Sequence, residues 1–283
     1  MAKLVWDQSG ERKYETGVDR GVLFVQNVNG TYGTGVAWNG LTGVTETPSG
    51  AEETKLYADN MKYLSLRSAE EFGGTIEAYT YPDEWQACDG SASLTTGVHV
   101  GQQARRAFGL CYRTNVGNDI ELSDHGYKLH LVYGATVSPS ERAYATINDS
   151  PEAITFSWEF TTTPIEIPSS VGDFKPTAIL TIDTTELEGG KENPNLVELE
   201  TILYGSDTGT SYRYTKDSTV TSDNFSTKKS SLYVEDAEAE GGYSAVANDA
   251  TFNASTNYYT RETVTGSEPR LPLPSEVYTK FTA

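Results

Sequence analysis

The sequence predicts a mainly β fold, a β-sandwich or rolled barrel with one flanking α-helix. The chain has 18 Tyr, 9 Phe and 4 Trp but only 2 Met among its 283 residues, and aromatic residues favour strands over helical bundles. Short runs of alternating apolar and polar residues recur along the chain and are separated by turn residues. Because turn residues separate these runs at short intervals, the sequence favours a sandwich or barrel and not βαβ units.

The strand pattern begins after about twenty polar residues. Residues 21–26 form a short apolar run, and a second strand signal follows in residues 36–44. Asn29-Gly30 predicts a type I′ hairpin turn, because both residue types tolerate positive φ, and Asn39-Gly40 predicts a second turn. Residues 62–67 alternate, which places Leu64 and Leu66 on one face. The sequence therefore predicts several short strands joined by tight turns in its first quarter.

Later strands carry β-branched and aromatic residues. The predicted strands cover residues 75–81, 107–113, 128–137, 154–161 and 175–183. In the first of them the residues alone leave open which face is buried. A short helix is predicted at residues 82–88, since Pro82 suits a first helical position and two acids follow it.

One longer helix is predicted at residues 194–204. Leu196, Leu199, Ile202 and Leu203 share one face of it, and Gly205 stands where a helix commonly ends. We expect this helix to flank the β domain.

The chain divides by composition into three parts. Residues 1–205 form the predicted core domain, and residues 206–267 form a polar, acidic insertion with an acidic run at 235–240. Short β-like pieces remain in the insertion at 211–215, 231–234 and 258–264. Residues 268–283 are predicted to be an extended segment that packs back on or between subunits. Its packing residues are Arg270, Leu271, Pro272, Leu273 and Pro274.

The charge excludes several classes of partner. The formal charge is −19 and the isoelectric point is about 4.5, so the protein will repel nucleic-acid phosphates and anionic membrane surfaces. The start lacks the apolar region of a signal peptide, and no stretch reaches the length of a membrane helix. We therefore expect synthesis in a cytoplasm. Two cysteines, Cys88 and Cys111, favour buried free thiols, although one bridge remains an alternative.

Candidate chemical sites are weak. The glycine-rich residues 30–35 continue into β structure, whereas a phosphate-binding loop must open a helix. Asp119, Glu121, Asp124 and His125 form an acidic loop without the spacing of a known metal frame. No serine lies in a Gly-x-Ser-x-Gly elbow, although a triad assembles in space and stays open as an alternative. The sequence predicts no enzyme, no metal and no cofactor.

The opening residues, Met-Ala-Lys-Leu-Val-Trp-Asp-Gln-Ser-Gly-Glu-Arg-Lys-Tyr, are the first of several blocks that resemble one family. Further blocks lie at residues 33–41, 68–72, 77–84, 116–119, 125–134, 147–158 and, in Arg-Leu-Pro-Leu-Pro-Ser-Glu-Val, 270–277. In this order they resemble the major tail proteins, or tail tube proteins, of siphophages that infect Gram-positive bacteria. The resemblance covers most of residues 1–205 and resumes at 270, so it leaves the insertion unexplained.

The resemblance implies a structural virion protein of the phage tail. Subunits of that family form hexameric rings whose inner sheets join between neighbours, and the rings stack around a tape measure protein. Further partners are the tail terminator and tail tip proteins, and double-stranded DNA passes through the tube without tight binding. An acidic chain suits such a channel, because like charges prevent adhesion to phosphates. A carbohydrate-binding β-sandwich module remains the alternative, and an acid-rich hydrolase is a further rival.

Two segments carry specific expectations. Residues 43–60 read as a long polar connection, and long loops in compact domains are usually functional. We predict that it contacts a neighbouring ring through Glu46, Thr47, Pro48, Ser49, Gly50, Glu52 and Glu53. The insertion at 206–267 is predicted to decorate the outer surface of the tube, because it is polar, acidic and placed between two family blocks.

Overall fold

A computed structural model describes residues 4–144, 146, 147, 149, 153–206, 211–236, 243–264 and 266–282. The chain divides into two compact units. Residues 1–205 together with 268–283 form the first, called the core unit below, and residues 206–267 form the second, called the inserted unit. Part of the resembling block at 147–158, namely residues 148 and 150–152, lies outside the described residues.

The structure is mainly β, with antiparallel sheets and a few helices. The strands are β1 (Tyr14–Val25), β2 (Val36–Ala37), β3 (Leu41–Glu46), β4 (Ser49–Gly50), β5 (Glu53–Ala58), β6 (Met61–Arg67), β7 (Glu70–Glu71), β8 (Gly73–Ala78), β9 (Ala92–Thr95), β10 (Val98–Val100), β11 (Phe108–Asn118), β12 (Leu122–Val137), β13 (Phe156–Thr162), β14 (Ile179–Asp183), β15 (Ser211–Lys216), β16 (Leu232–Glu235), β17 (Tyr243–Ala245) and β18 (Tyr259–Val264). The helices are α1 (Gln86–Asp89), α2 (Pro194–Tyr204), α3 (Ser222–Lys228) and α4 (Pro274–Thr282). Short 3-10 turns cover Asp83–Trp85, Thr184–Glu186, Gly190–Glu192 and Lys229–Ser231.

One antiparallel sheet organises the core unit. Its strand order is β2-β1-β11-β12-β13-β8-β3, and β14 pairs with β12 beside this path. The long strand β12 pairs with β14 through residues 128–132 and with β13 through residues 135–137. Between the two stretches lies Gly134, which has a φ of +59°. An added Cβ there would lie 2.3 Å from the Thr163 carbonyl oxygen, so the bend requires glycine.

Two hydrophobic cores lie on the two faces of this sheet, as the period of two in a strand requires. In β11, Leu110 and Tyr112 point into the first core, and Cys111 points into the second. The first, the sandwich core, packs β1, β11 and β12 against β8 and β13. The second, the helix core, packs the opposite face against α2 and α4.

Aromatic rings fill the sandwich core. The ring centroids of Trp38 and Trp85 are 4.6 Å apart, and Trp158 lies 5.8 Å from the first and 5.4 Å from the second. Trp85 belongs to the short helical segment that Asp83–Trp85 and α1 form, so the predicted helix at 82–88 is confirmed. The face of β8 left open by the sequence is also settled, because Ile76 and Ala78 are fully buried.

Helix α2 confirms the predicted helix at 194–204. Leu196, Leu199 and Leu203 are fully buried in the helix core, and Ile202 is partly buried. The helix begins after Asn193, whose side chain accepts hydrogen bonds from the backbone N–H groups of Asn195 and Leu196. This is the usual way to satisfy orphan donors at a helix start.

The C-terminal segment corrects one expectation. Residues 274–282 form helix α4 and are not extended, so the core unit has a second flanking helix. Pro274 has the fixed φ that suits a helix start, and Val277 and Phe281 are one turn apart on the face that meets the helix core. Residues 270–273 before the helix lie outside regular secondary structure.

The turn at Asn29-Gly30 also differs from the prediction. Gly30 has a φ of +85°, but Asn29 does not have positive φ, so the turn is not type I′. Instead, the Asn29 side chain accepts hydrogen bonds from the backbone N–H and hydroxyl of Thr31. Such local side-chain bonding is a typical alternative for asparagine in turns.

The inserted unit has a small sheet of its own. Its strand order is β15-β18-β16-β17, and the three predicted β-like pieces fall on β15, β16 and β18. Phe225 of α3 packs on Leu232 and Tyr258 to make a separate hydrophobic core. Residues 237–240 of the acidic run lie outside the described residues.

Candidate functional site

The most distinctive surface of the core unit is a β-hairpin that we call the arm, residues 49–71. It continues the ladder of β3 and β8 through the pairs β4–β7 and β5–β6. Asp59 and Asn60 form its tip with φ values of +49° and +61°. Positive φ at both central residues is the geometry of a type I′ turn, which fits the twist of the two strands.

A glycine fixes the base of the arm. Gly50 has a φ of +84°, and a Cβ added to it would lie 2.5 Å from the carbonyl oxygen of Ala69 on the opposite strand. Only glycine allows the two backbones to approach this closely. The direction in which the arm leaves the sheet therefore depends on this residue.

The arm carries an uncovered apolar face. Leu56 pairs with Leu64, and Leu66 lies two residues along the same face of β6. Their exposed fractions are 41%, 46% and 51%, and Met61 near the tip is 66% exposed. A two-stranded hairpin is only marginally stable in water, and clustered exposed leucines mark interaction surfaces. A covering partner would thus stabilise the arm as well as bind it.

The opposite face of the arm carries paired polar groups around Glu53 beside the exposed rings of Tyr57 and Tyr63. The carboxylate of Glu53 accepts hydrogen bonds from Lys62 and from the hydroxyl of Ser65, and the Lys55 ammonium lies 3.9 Å from it. The bond from Lys62 is the main reason why the pKa of Glu53 lies below its usual range. The two faces therefore differ in chemistry, because one carries the leucines and the other combines the Glu53 contacts with two exposed tyrosines.

A polar cluster around the buried side chains of Tyr112 and His130 holds Glu46, which lies just before the arm. Glu46, the last residue of β3, accepts a 2.5 Å hydrogen bond from the Tyr112 hydroxyl. His130 stacks on the Tyr112 ring at 4.6 Å, and its Nδ1 lies 3.5 Å from the same carboxylate. The His130 Nε2 lies 2.9 Å from the hydroxyl of Thr114. The Thr114 hydroxyl donates a hydrogen bond to the carboxylate of Glu15 in β1. The cluster therefore joins side chains of β1, β3, β11 and β12 next to the base of the arm.

We predict that acidification loosens this cluster. Burial lowers the pKa of His130 below its ordinary value of 6.5, although Glu46 and Glu15 act in the opposite direction. At a pH near 6.5 the unfolded chain therefore binds more protons than the folded protein does. The free energy of unfolding consequently falls as the pH drops from about 7 to 5.5. His130→Gln should flatten that dependence in urea denaturation curves. His99→Gln, at an exposed position, is the matched control and should leave the slope unchanged; a slope that survives in H130Q would contradict the assignment.

The structure places the predicted contact residues differently from the expectation. Residues 43–60 are not a loop, because they comprise the last residues of β3 and the whole of β4 and β5. The side chain of Glu46 faces the buried cluster, and Ser49-Gly50 pairs with Glu70-Glu71. Thr47 and Pro48 connect β3 to β4, Glu52 connects β4 to β5, and Glu53 starts β5. The sequence reading missed the apolar residues Leu56, Met61, Leu64 and Leu66 as one surface. The signal was present, since Asp59-Asn60 separates two strand-like runs, but only asparagine–glycine pairs were read as hairpin turns.

The predicted C-terminal packing residues divide into buried and exposed ones. Leu271 is 5% exposed and lies over Gly109, where an added Cβ would come within 2.3 Å of it. The carbonyl of Pro272 accepts a 2.9 Å hydrogen bond from the buried Tyr133 hydroxyl. Arg270 forms an ion pair with Glu276, and Leu273 is 45% exposed. Pro274 is buried at the start of α4.

The weak chemical candidates are engaged in structural contacts. Asp119 accepts a hydrogen bond from the backbone of Gly10, and Glu121 lies 2.6 Å from His125. Cys88 and Cys111 are free and buried, and burial raises the pKa of each thiol to about 12. Within the described part of the chain, no group of three or more His, Cys, Asp and Glu side chains could hold a metal ion. None of the helices in that part is long and apolar enough to cross a membrane.

Comparison of the chain with protein-family models finds no matching family, and comparison with curated proteins finds no significant match.

Proposed function

We propose that the protein is a self-assembling structural subunit that forms stacked rings, the tube of a phage tail. The uncovered leucine face of the arm carries this proposal. Leu56, Leu64 and Leu66 lie on a hairpin that projects from the sheet, so their burial needs another molecule. The blocks that resemble siphophage tail tube proteins supply the kind of assembly.

The sheet edge beside the arm supports the same proposal. Among the described strands, β3 pairs only with β8, so one side of its backbone is open. Open edges tend to pair with other chains, and a closed ring satisfies them without uncontrolled growth. In the proposed assembly the edges join neighbours within a ring, and the arm contacts the next ring. Six subunits per ring follow from the resemblance.

The charge fits a conduit for DNA. With 40 acidic and 21 basic residues the chain repels phosphates, and a tube with acids on its inner wall would pass double-stranded DNA without holding it. The proposed partners are further copies of the chain, a tape measure protein within the tube, and terminator and tip proteins at its ends. No catalytic role is proposed, and both buried thiols are protonated at neutral pH and so are poor nucleophiles.

Negative-stain microscopy of the purified protein at rising concentration tests the proposal. Rings or tubes of constant diameter are the expected result. A strict monomer at all concentrations would refute it, and a monomer whose melting temperature rises with glycans would support the carbohydrate-binding alternative. Binding of DNA at physiological salt would contradict the proposed conduit.

We predict that the inserted unit can be removed without loss of assembly. The backbone N–H of Ser206 donates to the carbonyl of Ser267 at 3.0 Å, so the two ends of the insertion meet. The backbone N–H of Arg270 donates a hydrogen bond to the carbonyl of Ile202, and both residues belong to the core unit. Replacing residues 206–267 by a short Gly-Ser linker should keep the tryptophan-detected unfolding transition and the tubes. Deletion of 206–283 is the contrasting variant, and it should unfold far more easily because Leu271 and Val277 are lost.

If the inserted unit decorates the outer surface of the tube, proteases should cut assembled tubes there first. Protection of residues 206–267 together with cleavage elsewhere would contradict that placement.

A further inference from the structure

A second apolar surface lies on the core unit, away from the arm in sequence. It is a groove of about 710 Å³ between β14, the chain before it and helix α4. Its apolar lining includes Ile167, Val171, Phe174, Leu187, Val277 and Phe281. Phe174 is 61% exposed at its edge. This volume lies within the usual range for binding pockets, so the groove can accept several apolar side chains.

Strand β14 gives the groove an open backbone edge. Among the described strands it pairs only with β12, and its residues Leu180 and Ile182 line the groove. An extended peptide can add to such an edge as a new strand, with alternate side chains entering the adjacent pocket. The groove and the edge together therefore suit a short extended segment with apolar residues two positions apart.

The same chain carries such a segment near its start. Leu4, Val5 and Trp6 are 72%, 61% and 73% exposed, an unusual arrangement for three consecutive apolar residues. In an extended strand Leu4 and Trp6 point to one side and Val5 to the other. Lys3 precedes them and Asp7 follows them in the sequence, so the acids Asp183, Glu186 and Glu188 at the groove would attract the Lys3 end of the segment and repel the other end.

We propose that residues 4–6 of one copy add to the free edge of β14 in a second copy, with Leu4 and Trp6 in its groove. The segment and the groove are both open within a single chain, so each can find its complement in another copy. This inference deepens the proposed assembly by naming a segment and its receptor, and it rests on that proposal. The contact is heterologous, since segment and groove are different surfaces, and contacts of this type generate rings or filaments.

Cross-linking between two variants, each with one introduced cysteine, tests the contact directly. Val5→Cys keeps both proposed anchors, and Tyr278→Cys places a thiol on a groove residue that is 41% exposed. Cys88 and Cys111 are buried with raised pKa values, so a bismaleimide reagent will favour the introduced thiols. A mixture of the two variants, one of them mass-tagged, should give a mixed dimer. Val28→Cys, at a position 95% exposed, replaces Tyr278→Cys as the control and should give at least tenfold less.

Two outcomes would overturn the contact. Equal cross-linking to the Val28 control would show random collision. Internal cross-linking of a Val5→Cys/Tyr278→Cys double variant at high dilution would show that the segment fills the groove of its own chain.

Assembly of a second variant separates this inference from the proposed function. Leu4→Ser/Trp6→Ser should raise the concentration needed for tube formation at least tenfold, while Val5→Ser should change it less than threefold. Normal tubes from the double variant would overturn the contact and leave the tube proposal standing. A wild-type protein that never assembles would overturn both.

Discussion

Leu56→Thr/Leu64→Thr/Leu66→Thr should abolish tube formation at concentrations where the wild-type protein assembles. Complete burial of a leucine side chain contributes about 1.5–3 kcal/mol, and each of these leucines still exposes roughly half of its surface, with fractions of 41–51%. Covering the rest is worth roughly 1 kcal/mol per residue on that scale, or about 3 kcal/mol per arm. That corresponds to an association constant roughly 100-fold lower for each contact. Threonine keeps a high strand propensity, so the arm itself should persist.

The measurement is the concentration at which tubes appear, followed by light scattering and microscopy. Lys55→Thr is the matched control, because it lies on the opposite face of the same strand and should change that concentration less than threefold. The melting temperature of the dispersed triple variant should stay close to that of the wild type, since these leucines are not part of either core. Tubes from the triple variant at the wild-type concentration would remove the arm from the proposed interface.

Much of this surface was visible in the sequence as separate strands and not as one feature. The alternation of residues 62–67 places Leu64 and Leu66 on one face, and the structure agrees because the register shift of this pair lies before Leu64. The partner strand β5 was read as polar connection, since Glu53, Thr54 and Lys55 are common loop residues. Strand pairing depends on which segments meet, and a short charged segment becomes a strand here because Asp59-Asn60 turns it onto β6.

The buried cluster beneath the arm could not have been predicted. Glu46, Tyr112 and His130 are separated by 66 and 18 positions, and nothing in their neighbours suggests a common site. They meet because β3, β11 and β12 are brought together by the fold of the sheet. Glu46 keeps 40% of its side chain exposed while it binds Tyr112, so its predicted contact with a neighbouring ring stays a prediction.

The C-terminal segment shows how a local pattern can be outweighed by packing. Three prolines in seven residues, Pro269, Pro272 and Pro274, favour an extended backbone, which is why no helix was expected. After Pro274 no further proline occurs, and Val277 and Phe281 can pack on the helix core only if the chain is helical. The stretch from 270 to 273 thus leads into a helix that completes the core begun by residues 1–205.

The same packing makes a sharp prediction for two leucines two positions apart. Leu271→Ala should lower the free energy of unfolding of the core unit by about 2–5 kcal/mol, because it leaves a cavity over Gly109 in the helix core. Leu273→Ala should lower it by no more than about 1 kcal/mol, because that side chain is already 45% exposed. Both changes remove the same atoms from the same segment, so the difference isolates burial.

Urea unfolding followed by tryptophan fluorescence measures the effect on the correct unit. Trp6, Trp38, Trp85 and Trp158 are the four tryptophans of the chain, and all belong to the core unit. The signal is therefore insensitive to the inserted unit, and the midpoints can be compared at a concentration below that of assembly. A similar loss at both positions would mean that the segment is held by its backbone, for example by the bond from Tyr133 to Pro272, and not by the side chain of Leu271. No loss at Leu271 would mean that residues 270–282 do not complete the core in solution, and the placement of the insertion between two parts of one unit would fail with it.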